Sequence, residues 1–116
     1  MKKNTVIIAC LLAVTLAGCA PMTRRKQIGL ACLMAAQAAD GYTTNEYLRI
    51  GGTEANPLLD DRPSRDQVWL FKGLVTLTLY GLGEIFEDDW EFFYGLGIAG
   101  GGVAAVHNNH LYEKWR

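Results

Sequence analysis

The sequence predicts an all-α fold: three short hydrophobic helices behind a bacterial lipoprotein signal peptide. Three observations predict it. Half of the 116 residues are hydrophobic and 13 are glycine. Three apolar stretches rich in Ala, Leu, Met and Gly follow one another without strand alternation of useful length, internal repeats or a long linker. An N-terminal segment with a positive start, an apolar run and a small-residue end precedes them.

That segment comes first. Lys2 and Lys3 form the positive region, and residues 6–16 carry no charge. The run is too short to span a bilayer. It ends in Leu16-Ala17-Gly18-Cys19, which resembles the bacterial lipobox. The resemblance implies cleavage before Cys19 by the lipoprotein signal peptidase. Leu16, Ala17 and Gly18 would be the recognition residues. The Cys19 thiol would receive a diacylglyceryl group, and the new amine a further acyl chain such as palmitate. Each buried methylene contributes about 0.8 kcal/mol to anchoring. No other cofactor is expected. Residues 1–18 are then removed, 19–27 form a lipidated N-terminus and basic tether, and 28–116 form the helical domain.

The mature chain would keep nine Lys/Arg against twelve Asp/Glu, a formal charge of −3. An exported, net-acidic chain excludes nucleic acid as a partner. Cys10 goes with the signal and Cys19 with the lipid, so Cys32 is the one remaining thiol and no intramolecular disulfide can form. Arg24, Arg25 and Lys26 are expected on anionic head groups.

The first helix is expected over residues 28–50, with Gly51-Gly52 as its stop. The second covers 68–83, and Ser64 with Gln67 three residues on fits a capping box. The third covers 92–106 and runs toward Asn109. An acidic, aromatic connector at 84–91 joins the last two. Each stretch is short for a span, which takes roughly 20 apolar residues. Composition therefore leaves two placements: helices embedded in a membrane, or a bundle tethered by lipid. Three spans starting from an external Cys19 would put the connector outside and Arg49, Arg62, Arg65, Lys114 and Arg116 inside, in line with the positive-inside rule. Trp69, Trp90 and Trp115 would then sit near interfaces.

The stretch "DGYTTNEYLRIGGTEANPLL" at 40–59 resembles the signature of a family of small uncharacterised bacterial and archaeal multi-helix membrane proteins. Its pattern is an aspartate and a Thr-Thr pair late in the first helix, then a Gly-rich turn and Glu-x-Asn-Pro. Here those are Asp40, Thr43, Thr44, Gly51, Gly52, Glu54, Asn56 and Pro57. The resemblance implies two more hydrophobic helices and a membrane location, and no particular chemistry. The lipobox departs from it.

Asp40, Thr43, Thr44 and Tyr47 share one helix face, with Gln37 just above. A carboxylate in an apolar helix needs a partner, and Lys72 is within reach. A polar cluster of Asp40, Thr43, Thr44, Lys72, His107 and Asn108 is the first candidate site, either a ligand- or proton-handling group or a structural ion pair. Glu54, Asn56 and Pro57 form the second, a turn or binding motif. "GLGIAG" at 95–100 has dinucleotide-loop spacing, but no strand precedes it. Small residues four apart there (Gly95/Ala99, Gly97/Gly101, Gly101/Ala105) instead suit close helix packing or self-association. His107 and His110 lack the further ligands that a metal site needs. Ser64, the one serine, reads as a helix cap, and no nucleophile–base pair stands out.

The expectation is a lipid-anchored cell-envelope protein, with the inner membrane favoured over the outer. It would be non-enzymatic and would bind or modulate a membrane partner, or associate with itself through the Gly-rich third helix. The alternatives are a module handling a small ligand or protons through Asp40, Lys72 and His107, and an exclusion or immunity lipoprotein of a mobile element. Ala20, where an aspartate would retain a Gram-negative lipoprotein in the inner membrane, leans the other way.

Overall fold

The computed structural model describes residues 3–5, 7–8 and 22–116. Leu16, Ala17, Gly18 and Cys19 lie outside the described residues. Three helices form an up-down-up bundle: α1 (Arg24–Arg49), α2 (Arg65–Ile85) and α3 (Trp90–Trp115), with a 3-10 turn (Glu87–Asp89) before α3. There is no strand among the described residues. The basic tether is shorter than expected, because Thr23 caps α1: its Oγ1 accepts from the Lys26 N–H at 3.2 Å. Arg24, Arg25 and Lys26 therefore form the first turn of a helix.

The end of α1 falls at the glycine pair. Gly51 takes φ 98°, which costs an L side chain but not glycine. Its N–H donates to Leu48 O at 3.1 Å, and the Gly52 N–H donates to Tyr47 O at 3.0 Å. These two bonds make a Schellman motif. Helix α2 starts at the expected capping box. The Gln67 N–H donates to Ser64 Oγ at 3.2 Å and the Ser64 N–H donates to Gln67 Oε1 at 2.8 Å. Helix α3 is longer than expected at both ends. It begins inside the acidic connector and continues through His107–Asn108–Asn109–His110.

The parallel pair α1 and α3 makes the most extensive contact. On α1 the buried residues Lys26, Leu30, Leu33, Gln37, Asp40 and Thr44 recur every four and three positions, as in a coiled-coil seam. On α3 the buried residues are Tyr94, Gly97 and Gly101. A Cβ on Gly101 would stand 2.9 Å from Ala36 O, a backbone atom, and one on Gly97 would run into Leu33 Cδ1. The two glycines thus allow close helix approach. Trp69 and Trp90 pack over Gly41 and Gly29. Trp115 is exposed.

The interior mixes apolar and polar side chains, with Leu30, Leu33, Val68 and Tyr94 as its apolar part. Four of the six α1 seam residues are polar or charged, and all are buried. The outer faces carry Ile28 and Met34 on α1, Leu70, Leu74 and Leu77 on α2, and Phe92, Leu96, Val103 and Val106 on α3, all exposed. A soluble bundle places these classes the other way round. Among the described helices only α2 is long and apolar enough by itself to cross a membrane. Helix α1 carries its polar seam, and α3 spends five positions on glycine.

Candidate functional site

Asp40 sits two-thirds along α1 on the buried seam, 5% exposed. Its carboxylate is held from three elements' worth of chain. Lys72 Nζ of α2 donates to Oδ2 at 2.5 Å. Thr44 Oγ1, one turn on in α1, donates to Oδ1 at 3.2 Å. Asn108 Nδ2 of α3 donates to Oδ1 at 3.2 Å and to Thr44 Oγ1 at 2.9 Å, with Thr43 Oγ1 farther off at 3.4 Å. Thr43 itself donates back to Ala39 O at 2.8 Å. The group joins all three helices through one carboxylate.

The electrostatics follow from burial. The side chains of Asp40 and Lys72 are 7% and 12% exposed, so each charge gives up most of its hydration and recovers it only from the other and from the hydrogen bonds around them. Lys72 bends inward rather than snorkelling outward along its stem. Thr76 Oγ1 returns to Lys72 O at 2.8 Å, a bond along its own helix. Tyr47, on the expected polar face, lies against Gly52 instead.

Five of the six expected cluster residues come together: Asp40, Thr43, Thr44, Lys72 and Asn108. His107 does not. It is exposed, because one residue on a helix is a rotation of about 100°, and Asn108 occupies the inward position. Asn108 supplies two amide hydrogens where a histidine would have supplied one or two at fixed angles. Both carboxylate oxygens thereby have partners in the chain itself. His110 and Glu113 are also exposed, and Glu113 pairs with Arg116 at 2.9 Å. Among the described residues no three His, Cys, Asp or Glu side chains gather as a metal-holding group.

Glu54 and Asn56 turn inward on their own loop. The Asn56 N–H donates to Glu54 Oε1 at 2.9 Å, the Leu58 N–H to Asn56 Oδ1 at 3.0 Å, and the Glu54 N–H to Asp61 O at 2.8 Å. Asn56 and exposed Pro57 make an Asx-type turn. Leu58 and Leu59 then lean toward Leu70, Phe71 and Leu74, leaving a shallow groove of about 220 Å³ on the outside of α2.

Two buried contacts were not anticipated. Gln37 Nε2 donates to Gly97 O at 2.8 Å, a bond to the α3 backbone that only a glycine-lined approach permits. Lys26 Nζ meets Glu84 Oε1 at 2.7 Å, with side chains 11% and 28% exposed. Arg25 pairs with Glu91 at 3.2 Å, far more exposed. Lys26 is thus buried against Glu84 rather than free for lipid head groups, while Arg25 stays exposed beside Glu91. Their charges go to the acids of α2 and α3, which stand at fixed positions beside them. The four-three spacing of Lys26, Gln37, Asp40 and Thr44 was the available signal.

The glycines of α3 divide. Gly97 and Gly101 serve the contact with α1, whereas Gly95, Gly100 and Gly102 have open space where a side chain would be. Cys32 is exposed on the outer side of α1. No family model, curated protein or solved structure matches this chain.

Proposed function

We propose that this chain is a lipid-anchored protein of the bacterial cell envelope, acylated at Cys19, whose three-helix unit lies in the membrane and binds or modulates a membrane partner without catalysing a reaction. The observation that carries the reading is the placement of polarity: Lys26, Gln37, Asp40 and Thr44 are buried beside a small apolar core, while Leu70, Leu74, Leu77, Phe92, Leu96, Val103 and Val106 are exposed. In water that arrangement would leave an apolar surface far beyond scattered single residues. In hydrocarbon it is the stable one, because buried polar groups find partners and the outer face meets lipid.

The Asp40–Lys72–Thr44–Asn108 group serves as a clasp that fixes which helix faces meet. Both oxygens of its carboxylate have partners within the chain, which supports a structural role over the handling of a ligand or proton. Glu54 and Asn56 serve the loop in the same way.

The test replaces residues 1–19 with a cleavable export signal that adds no lipid, followed by alkaline carbonate extraction of membranes. Retention in the pellet is expected. Release into the supernatant would overturn the reading and leave a bundle held only by acyl chains.

A further inference from the structure

The charge map along the three helices is more specific than overall hydrophobicity. Residues 27–45 of α1, 67–83 of α2 and 92–112 of α3 number 19, 17 and 21, and among their Asp, Glu, Lys and Arg side chains there are only Asp40 and Lys72. Those two neutralise each other. At 1.5 Å rise per residue the segments measure about 28, 26 and 31 Å, beside a hydrocarbon thickness of about 30 Å. All other formal charges of α1, α2, α3 and their connections lie beyond the two ends of this belt.

The ends are not equivalent. At one end Lys26 meets Glu84 and Arg25 meets Glu91, so the start of α1 adjoins the α2–α3 connector with Glu87, Asp88 and Asp89. Cys19 precedes Arg24 by five residues, a reach of at most about 17 Å. The opposite end of α1, 26 residues away, is about 39 Å distant. The lipidated cysteine can therefore reach only the connector end. At the other end stand Arg49, Arg62, Arg65, Lys114 and Arg116, with the 50–64 loop and the last turn of α3. Five cations there against three at the anchor end follow the positive-inside bias.

We infer that the outer face of the bundle is a bilayer-crossing surface whose partner is acyl-chain hydrocarbon, that the acidic connector shares one head-group layer with the lipidated Cys19, and that the 50–64 loop and the C-terminal end emerge on the opposite, cytoplasmic side. This rests on the membrane reading above and deepens it: the ion pairs that seat the start of α1 beside the connector tie the expected sidedness to the lipid anchor. The connector's acids are thus displayed to the periplasm, and the loop that ends in the Ser64 cap faces the cell interior.

The experiment uses the full lipidated chain with Cys32→Ser, and single cysteines at exposed positions: Asp88→Cys or Glu87→Cys in the connector, Thr53→Cys or Ala55→Cys in the loop. The probe is a membrane-impermeant maleimide applied to right-side-out and inside-out inner-membrane vesicles. Labelling of the connector only from the periplasmic side, and of the loop only from the cytoplasmic side, is expected, with a contrast above tenfold. Labelling of both from the periplasmic side would overturn the crossing and the membrane reading together. The reverse pattern would overturn the sidedness while carbonate retention still stood, and labelling of both from the cytoplasmic side would overturn the crossing as well. Absence of the protein from inner-membrane vesicles would also overturn the sidedness.

Discussion

Asp40 and Lys72 lie 32 residues apart in sequence and meet at 2.5 Å, joining α1 to α2 with the only formal charges in the middle belt of the three helices. Removing one partner strands the other. Asp40→Asn should lower stability by about 3–5 kcal/mol, the usual result of breaking a buried pair from one side. Asp60→Asn, at an exposed loop position, should leave stability within about 0.5 kcal/mol. Thermal unfolding of the purified protein in detergent, with membrane protein levels beside it, checks both. Equal behaviour of the two variants would remove the clasp.

Replacing the pair together should be gentler. Asp40→Leu with Lys72→Met removes both charges and keeps apolar volume, and such exchanges are often neutral or stabilising by about 1–4 kcal/mol. The double variant is expected to recover most of what either single variant loses. A double-mutant cycle on unfolding in detergent measures the coupling. Additive losses would mean that each residue acts through other contacts.

Asn108 and His107 are neighbours in sequence with opposite surroundings. Asn108→Ala deletes the donor to Asp40 and Thr44 and should cost about 1–3 kcal/mol. His107→Ala, on the exposed side, should change stability by less than about 0.5 kcal/mol. The same unfolding assay reads both, and a dominant His107 effect would return that residue to the site.

The adjacent glycines Gly100 and Gly101 make the same comparison for packing. A side chain at Gly101 meets the α1 backbone at Ala36, which cannot rotate away, whereas Gly100 has open space. Gly101→Val should separate α1 from α3 and sharply reduce the folded fraction in membranes. Gly100→Val should be tolerated. Limited proteolysis of membranes distinguishes them. Sensitivity of Gly100→Val instead would point to a partner helix on the outward face.

At the connector end, Lys26→Ala should destabilise by about 1–3 kcal/mol, since it leaves the half-buried Glu84 carboxylate without its cation. Arg25→Ala should lose less than about 1 kcal/mol, because its pair with Glu91 is open to solvent. Raised salt should weaken the Arg25 contribution more than that of Lys26.

Local chemistry was legible in the sequence alone. The capping box at Ser64 and Gln67 and the glycine stop at Gly51–Gly52 were fixed by short-range bonding that needs no distant partner. The three-helix order and the Asp40–Lys72 pairing could be read because an isolated charge in an apolar helix must find its opposite. Which end of His107–Asn108 would face inward, where Lys26 and Arg25 would spend their charges, and which glycines would be covered were decided only by the tertiary structure. Each depends on the rotation and register of α3 against α1, and a shift of one residue turns a helix face by about 100°. The sequence carries polar residues at seam spacing, but it takes the packed helices to place them inside beside Leu30 and Leu33 and to leave Leu70, Leu74 and Leu77 outside.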